Sequence, residues 1–505
     1  MTANAITSPS TPRAVRRIAR RHANLVSTLA RCCLWLGVLI AAVSFGDGPS
    51  WLLALSGVPI GLGLILGDVH DARRGALTPI TVFAFASALT ALANTTGLLT
   101  ANTSLSNRYF TYAADNYLLL ASQLSTVGMV VTIAGFKIVS NLPAARVAFG
   151  ALPRVRGSFP DRLLLIGGPL VAFAAIALHA RSGFELIGSI MSTVYLLPHI
   201  VTFLLARAGT ERRLRGALVL AFIVAATESA RALFLAYLRT DIVSPFIAFA
   251  LGALLGARSL APLKTRLFIP LYIFAAFFII YFTAFARART TAVGVDRLEA
   301  VAEGGPPNTP FTAQQHPGFW ARLTNFNQLS RVGLIADEDG YLHGQTLEYL
   351  GFVFIPRFLW RDKPIIQKGG WFAWRIGQAW IRSDGRYSNA INMTVPGELY
   401  LNFGWFGLLL GCALFGAFVA LLWSRTAFWG RQSTAIGQAF GYYLFWTSLT
   451  LAADLQTIVT LIATYCIFVA VGVIVRALPN NSRGGRSGAH RLRPVRQGVV
   501  RAGIA

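Results

Sequence analysis

Apolar runs near membrane-spanning length follow one another along this chain and constrain its fold more than any other feature. A helix crossing a bilayer needs about 20 mostly apolar residues. Twelve segments meet or approach that length: 32–46, 51–67, 76–94, 118–136, 162–180, 184–206, 216–237, 243–256, 267–286, 397–423, 434–451 and 455–475. Only 13% of the 505 residues are charged and 55% are hydrophobic, whereas soluble domains carry about 25% charge. The sequence therefore predicts an all-α polytopic membrane protein with about 12 transmembrane helices and one large folded outer loop.

The charges between the runs orient them. Loops that begin inside hold 29 Lys and Arg together with both tails, counting Arg162 at its membrane edge, while the short outer loops hold Arg108, Arg181 and Arg239. This asymmetry satisfies the positive-inside rule and puts both termini in the cytoplasm. The resulting organisation is a basic tail (1–31), helices one to nine (32–287), a large outer loop (288–396), helices ten to twelve (397–476) and a second basic tail (477–505). The tails, rich in Arg, Ser, Gly and Pro and without an acid, read as disordered segments drawn to anionic membrane lipids. The net charge of +25 is dispersed between apolar runs rather than gathered into a patch, which argues against nucleic acid. Cys32, Cys33, Cys412 and Cys466 sit in or beside apolar runs and form neither a disulfide framework nor a metal-binding spacing. No internal repeat divides the chain in two, which counts against a two-halved transporter.

The large loop is electrically split. Residues 288–348 hold seven acids against four cations, whereas 355–386 hold Arg357, Arg361, Lys363, Lys368, Arg375, Arg382 and Arg386 against Asp362 and Asp384. Such a cationic surface holds a lipid pyrophosphate, through Arg forks and Lys point charges, or snorkels to lipid headgroups. The loop's tryptophans, among them Trp360, Trp371 and Trp374, stack on sugar faces or belong to an interfacial belt. Glu398, with Tyr400 and Asn402 at i+2 and i+4, opens the tenth run; it is a general base for a sugar hydroxyl or an acid complementing a helix start. Glu228 and Arg231 share one face of the seventh run, where buried charge marks either function or a self-neutralised pair.

Two stretches, IPRFLWRDKP at 355–364 and PGELYLNFGWFGLLLG at 396–411, resemble the Wzy-type polymerases of bacterial O-antigen and exopolysaccharide. That family carries a Pro-Arg…Trp…Lys-Pro segment in a periplasmic loop and a Gly-Glu…Tyr…Asn-Phe-Gly segment at the next span. Arg361 departs from it, standing where a proline is more usual. The resemblance implies transfer of a growing glycan from undecaprenyl pyrophosphate to another lipid-linked repeat unit, without a cofactor or an obligatory metal. Its partners would be undecaprenyl-pyrophosphate-linked oligosaccharides, membrane lipids, a chain-length regulator and a flippase. Arg357, Lys363 and Arg361 would then bind the departing pyrophosphate, with Arg231 meeting it from within the membrane. Glu398 would be the base and Glu348 its reserve, and Trp360, Tyr400 and Asn402 would line the sugar path. An O-antigen ligase, a lipid-linked oligosaccharide flippase and a structural partner of an export complex are the alternatives.

Overall fold

The computed structural model describes residues 13–46, 48–70, 78–100, 113–142, 153–155, 163–180, 188–235, 239–256, 324–353, 355, 359–360, 362–364, 366–381, 383, 385–426, 428, 434–449 and 454–477. Among these the protein is helical, with a single isolated β-bridge between Ile381 and Tyr387. The α-helices, numbered in order through the described residues, are α1 (Arg13–Ser44), α2 (Ser50–His70), α3 (Pro79–Leu99), α4 (Leu118–Asn141), α5 (Gly168–Ala180), α6 (Gly188–Glu211), α7 (Arg215–Leu235), α8 (Arg239–Gly256), α9 (Phe326–Glu338), α10 (Lys368–Arg375), α11 (Val395–Thr426), α12 (Ala435–Leu449) and α13 (Thr457–Ala477).

Among the described residues, six stretches are long and apolar enough to cross a membrane: Leu25–Ser44, Ser50–Gly67, Pro79–Leu99, Asp115–Asn141, Val395–Thr426 and Thr457–Arg476, with shorter apolar helices at Leu163–Leu178 and Ser244–Ala253. The protein is thus a helical membrane protein. Eleven of the twelve expected runs coincide with helices, and the run at 267–286 and the loop's first part, 288–323, lie outside the described residues. One expectation needs correcting. The N-terminal tail is not disordered throughout, because α1 already begins at Arg13. The cause is local: between Pro12 and Gly37 the sequence holds no proline or glycine and is dense in Ala, Arg and Leu, which are strong helix formers.

Packing divides the helices into two groups. One gathers α1–α4, α9 and α11; the other gathers α5–α8 around Ala172, Leu205, Ala206, Ala221, Val224 and Ala253. Helices α12 and α13 join them, since α12 packs on α3 and α11 as well as on α6. Small residues let α4 and α11 approach closely, as membrane helices commonly do. A methyl added at Gly416 would strike the Thr132 carbonyl, and one at Gly135 would strike that of Ala413. The exposed side chains of α1, including Trp35, Leu39 and Val43, form an apolar outer surface suited to lipid.

Contacts also sort the helix ends into two faces, and the sorting matches the charge pattern. Loop residues meet Asn94, Tyr117, Ser125 and Asp454, all at ends that the cation count puts outside. Conversely, the Val155 amide donates to the Arg425 carbonyl, joining two connections that the count puts inside. The loop is anchored through buried Asn94, whose Nδ2 donates to Asn325 Oδ1 at 3.0 Å, while Asn325 Nδ2 donates to Ser125 Oγ at 3.1 Å. These bonds fix the start of α9 above α3 and α4.

Candidate functional site

The site grows from a break in α11. Gly404 has φ 63° and ψ −150°, a conformation that is essentially glycine-only, so the helix ends one segment at Phe403 and begins another at Trp405. A helix end leaves carbonyls without intrahelical donors. Here the turn after α9 supplies them: the amides of Leu342 and His343 donate to the carbonyls of Leu401 and Asn402, each at 3.0 Å. Gly344, at φ 94°, donates its amide to Asn402 Oδ1 at 2.9 Å. Tyr341 covers Gly404 so closely that a Cβ there would lie 2.9 Å from its ring. Asn402 completes the joint by donating to Thr346 Oγ1 at 2.6 Å and to the Glu398 carbonyl at 2.7 Å.

This joint places Glu398 against the loop. Its carboxylate is 2% exposed and accepts from Lys368 Nζ at 2.9 and 2.8 Å, with Thr346 Oγ1 donating to Oε1 at 3.2 Å. Lys368 opens α10 and is itself 10% exposed. It also donates to Asp454 Oδ1 at 2.7 Å and to the Tyr349 hydroxyl at 3.2 Å. An ammonium has three protons, and Glu398, Asp454 and Tyr349 engage all of them. Burial alone would lower the lysine's pKa, but the two carboxylates outweigh it and hold Lys368 above its usual range. Burial likewise lifts the Tyr349 phenol to about 12, so it remains a neutral acceptor for Lys368. The triad ties three separate parts of the chain together: the loop, the first segment of α11, and the connection between α12 and α13.

Beside it lies a cleft of about 390 Å³. Two stretches of the chain line it: Leu342, Gln345, Thr346, Glu348, Tyr349 and Phe352 from the first, and Pro364, Ile366, Gln367, Lys368 and Trp371 from the second. Tyr349 and Val353 pack against Val459 of α13, which seats the cleft on the membrane helices. Glu348 is exposed on the wall and makes no ion pair among the described residues.

The expected site residues take several distinct positions. Glu398 is locked to Lys368, whereas Glu348 faces the cleft. Trp360 packs edge-on against Phe352 of the cleft wall, ring centroids 5.9 Å apart. Tyr400 is buried edge-on against Tyr341 and Trp405, and Asn402 is fully buried, so both lie behind the wall. Lys363 donates to the carbonyls of Val353 and Ile355 at 2.9 and 2.8 Å, clasping the two ends of its own loop segment. Arg231 makes a bidentate pair with Glu228, at 2.9 and 2.8 Å, both buried within α7. Arg357 and Arg361 lie outside the described residues, on the chain between Phe352 and Pro364.

Sequence reasoning gave no role to Asp454 or Thr346 and counted Lys368 only as one loop cation. Asp454 is the single acid in LAADLQT, between two apolar runs, and an acid at that depth of a membrane chain was a usable signal. No protein-family model, curated protein or solved structure matches this chain.

Proposed function

We propose that this protein is a membrane glycosyltransferase. It would polymerise undecaprenyl-pyrophosphate-linked oligosaccharide repeat units at the periplasmic face of a bacterial inner membrane, with both termini in the cytoplasm. The observation that carries the reading is the cleft itself: an aromatic and amide-lined groove at the mouth of a broken membrane helix, with one open carboxylate, Glu348, on its wall. In this reading Glu348 takes the proton from the acceptor sugar hydroxyl. The hydroxyl oxygen bonds to the anomeric carbon of the donor glycan, and the bond from that carbon to the pyrophosphate oxygen breaks. Arg357 and Arg361 receive the charge that develops on the pyrophosphate. Lys368 and Glu398 hold the cleft's inner wall, and Arg231 remains with Glu228.

The test supplies purified protein with lipid-linked repeat units and measures glycan size. A ladder from the wild type that collapses to single units in Glu348→Gln and in Arg357→Ala, at equal folding, supports the reading. Single units from the wild type refute it. The buried charges of α7 and the triad favour a second reading, a lipid-linked oligosaccharide flippase, because intramembrane charge commonly marks a transport path. That reading requires the wild type to move repeat units across vesicles without lengthening them.

A further inference from the structure

We infer that the part of the bundle beneath the loop holds a water-filled crevice, a second polar space besides the cleft, in which Ser87 and Thr90 of α3 and Ser125 of α4 bind a few water molecules. The crevice lies between α2, α3, α4 and the start of α11, and about 50 Å³ of it is open to water. One buried water needs about 10–15 Å³, so a few fit. On α3 the lining runs Phe83, Ser87, Thr90 and Asn94, at the three- and four-residue spacing of a single helix face. At 1.5 Å of rise per residue, Ser87 stands about 10 Å from Asn94 along the axis, well inside an apolar span. The half-buried lining residues are Ser87, Thr90, Ser125 and Asn325, all polar, and every other one is buried. A mouth made for lipid would show apolar side chains there.

Hydrogen bonding identifies the ligand. A hydroxyl on a helix can satisfy itself by donating to the carbonyl four residues back, as Thr95 and Thr96 do at 2.8 Å and Thr132 does at 2.7 Å. Ser87 and Thr90 do not, and their hydroxyls make no hydrogen bond among the described residues. Ser125 accepts from Asn325 at 3.1 Å and keeps its own proton to give. An unpaired hydroxyl is costly in apolar surroundings. Three hydroxyls in one small space, each able to donate, match the two to four partners that a buried water takes. Buried Phe83, Met129 and Phe415 line the rest of the crevice with apolar surface. The water lies beside the Asn94–Asn325 joint that anchors the loop, and so hydrates the loop's footing from within the bundle.

The experiment uses the full-length protein in lipid nanodiscs. With the four native cysteines changed to alanine, Ser87→Cys, Thr90→Cys, Phe85→Cys and Leu92→Cys are each timed against 2-aminoethyl methanethiosulfonate, which attacks the thiolate that water allows to form. Phe85 and Leu92 are 51% and 41% exposed on the same helix, so exposure alone would favour them. Modification at 87 and 90 is instead expected to be about tenfold faster than at 85 and 92, as thiolate formation in water requires. A second measurement leaves the sequence untouched. Radiolysis of water around the wild type should oxidise Met129, 5% exposed, several-fold faster than Met393, 3% exposed, because Met129 lines the crevice. Equal labelling at the four positions, or labelling at none, overturns the inference, as does Met129 oxidised no faster than Met393. The polymerase reading stands or falls separately, since the crevice carries no step of it.

Discussion

Replacing Lys368 by Met tests whether the triad is a lock built on charge. Each contact of the ammonium with Glu398 and Asp454, at 2.8 and 2.7 Å, is worth about 6 kcal/mol of gross attraction at an effective dielectric near 20. Burial of the ions consumes much of this, at several kcal/mol per ion, so the intact triad contributes far less than the gross sum. Removing the cation alone is different, because it strands the Glu398 carboxylate at 2% exposure with only Thr346 to bond it. That change should cost about 3–5 kcal/mol. The triple variant Lys368→Met, Glu398→Gln, Asp454→Asn leaves no stranded charge and loses only neutral-strength hydrogen bonds, about 1–2 kcal/mol. Equilibrium unfolding in mixed SDS micelles should therefore rank the triple variant above the single one. A triple variant as unstable as the single, or a single variant equal to wild type, would refute the lock. The pH dependence has a definite sign. The folded pKa of Lys368 is raised, so its stabilisation is complete below the unfolded value of about 10.4 and disappears only as pH climbs through the higher folded value.

Two further changes probe the frame around the cleft. Gly404→Ala forces a side chain into a glycine-only conformation and against Tyr341, costing about 1–3 kcal/mol; hydrogen exchange at Leu342 and His343, whose amides cap the break, should quicken, and unchanged exchange would count against it. Arg375 donates to Asp339 at 2.9 Å and to Glu338 at 2.8 Å, and its hydrogen bond holds the Asp339 carboxyl below the usual range. This clasp stabilises above the unfolded Asp value of about 3.9 and fails as pH falls through the lower folded one. Proteolysis between α9 and α10 should accelerate below that pH in the wild type, and Arg375→Ala should already be cut readily at pH 7.

What the sequence made legible is local. The start of α11 within two residues of its expected position follows from apolar length. The Glu228–Arg231 pair was legible as well, since three residues along one helix bring two side chains together. The triad was not. Lys368 and Glu398 are 30 residues apart, and Asp454 lies 86 residues from Lys368. Nothing short of the fold that brings Lys368 beside Glu398 and Asp454 says which of seven loop cations becomes buried. Trp371 and Trp374 show the same limit on a smaller scale. Both belong to α10, yet the former lines the cleft and the latter is exposed beside Tyr387, because only one side of so short a helix meets the core.

The broken helix gives this arrangement a mechanical logic. An unbroken α11 would place residues 395–403 in line with its apolar remainder, with no carbonyls free to receive the loop. Breaking it at Gly404 costs hydrogen bonds at the membrane edge, where unpaired carbonyls are expensive. The amides of Leu342 and His343 repair that loss, and only a folded loop supplies them. Loop and helix therefore stabilise each other: the loop caps the break, and the break presents Glu398 to Lys368 of the loop. A cleft fixed in this way keeps Glu348 and Trp371 in the lining of one cavity, 23 positions apart in the sequence. In the proposed reaction the cleft would hold one sugar while its lipid carrier stays in the membrane, and such mutual fixation is what that task requires. It follows that Gly404→Ala should shorten the glycan ladder of the proposed polymerisation although Gly404 lies outside the cleft lining.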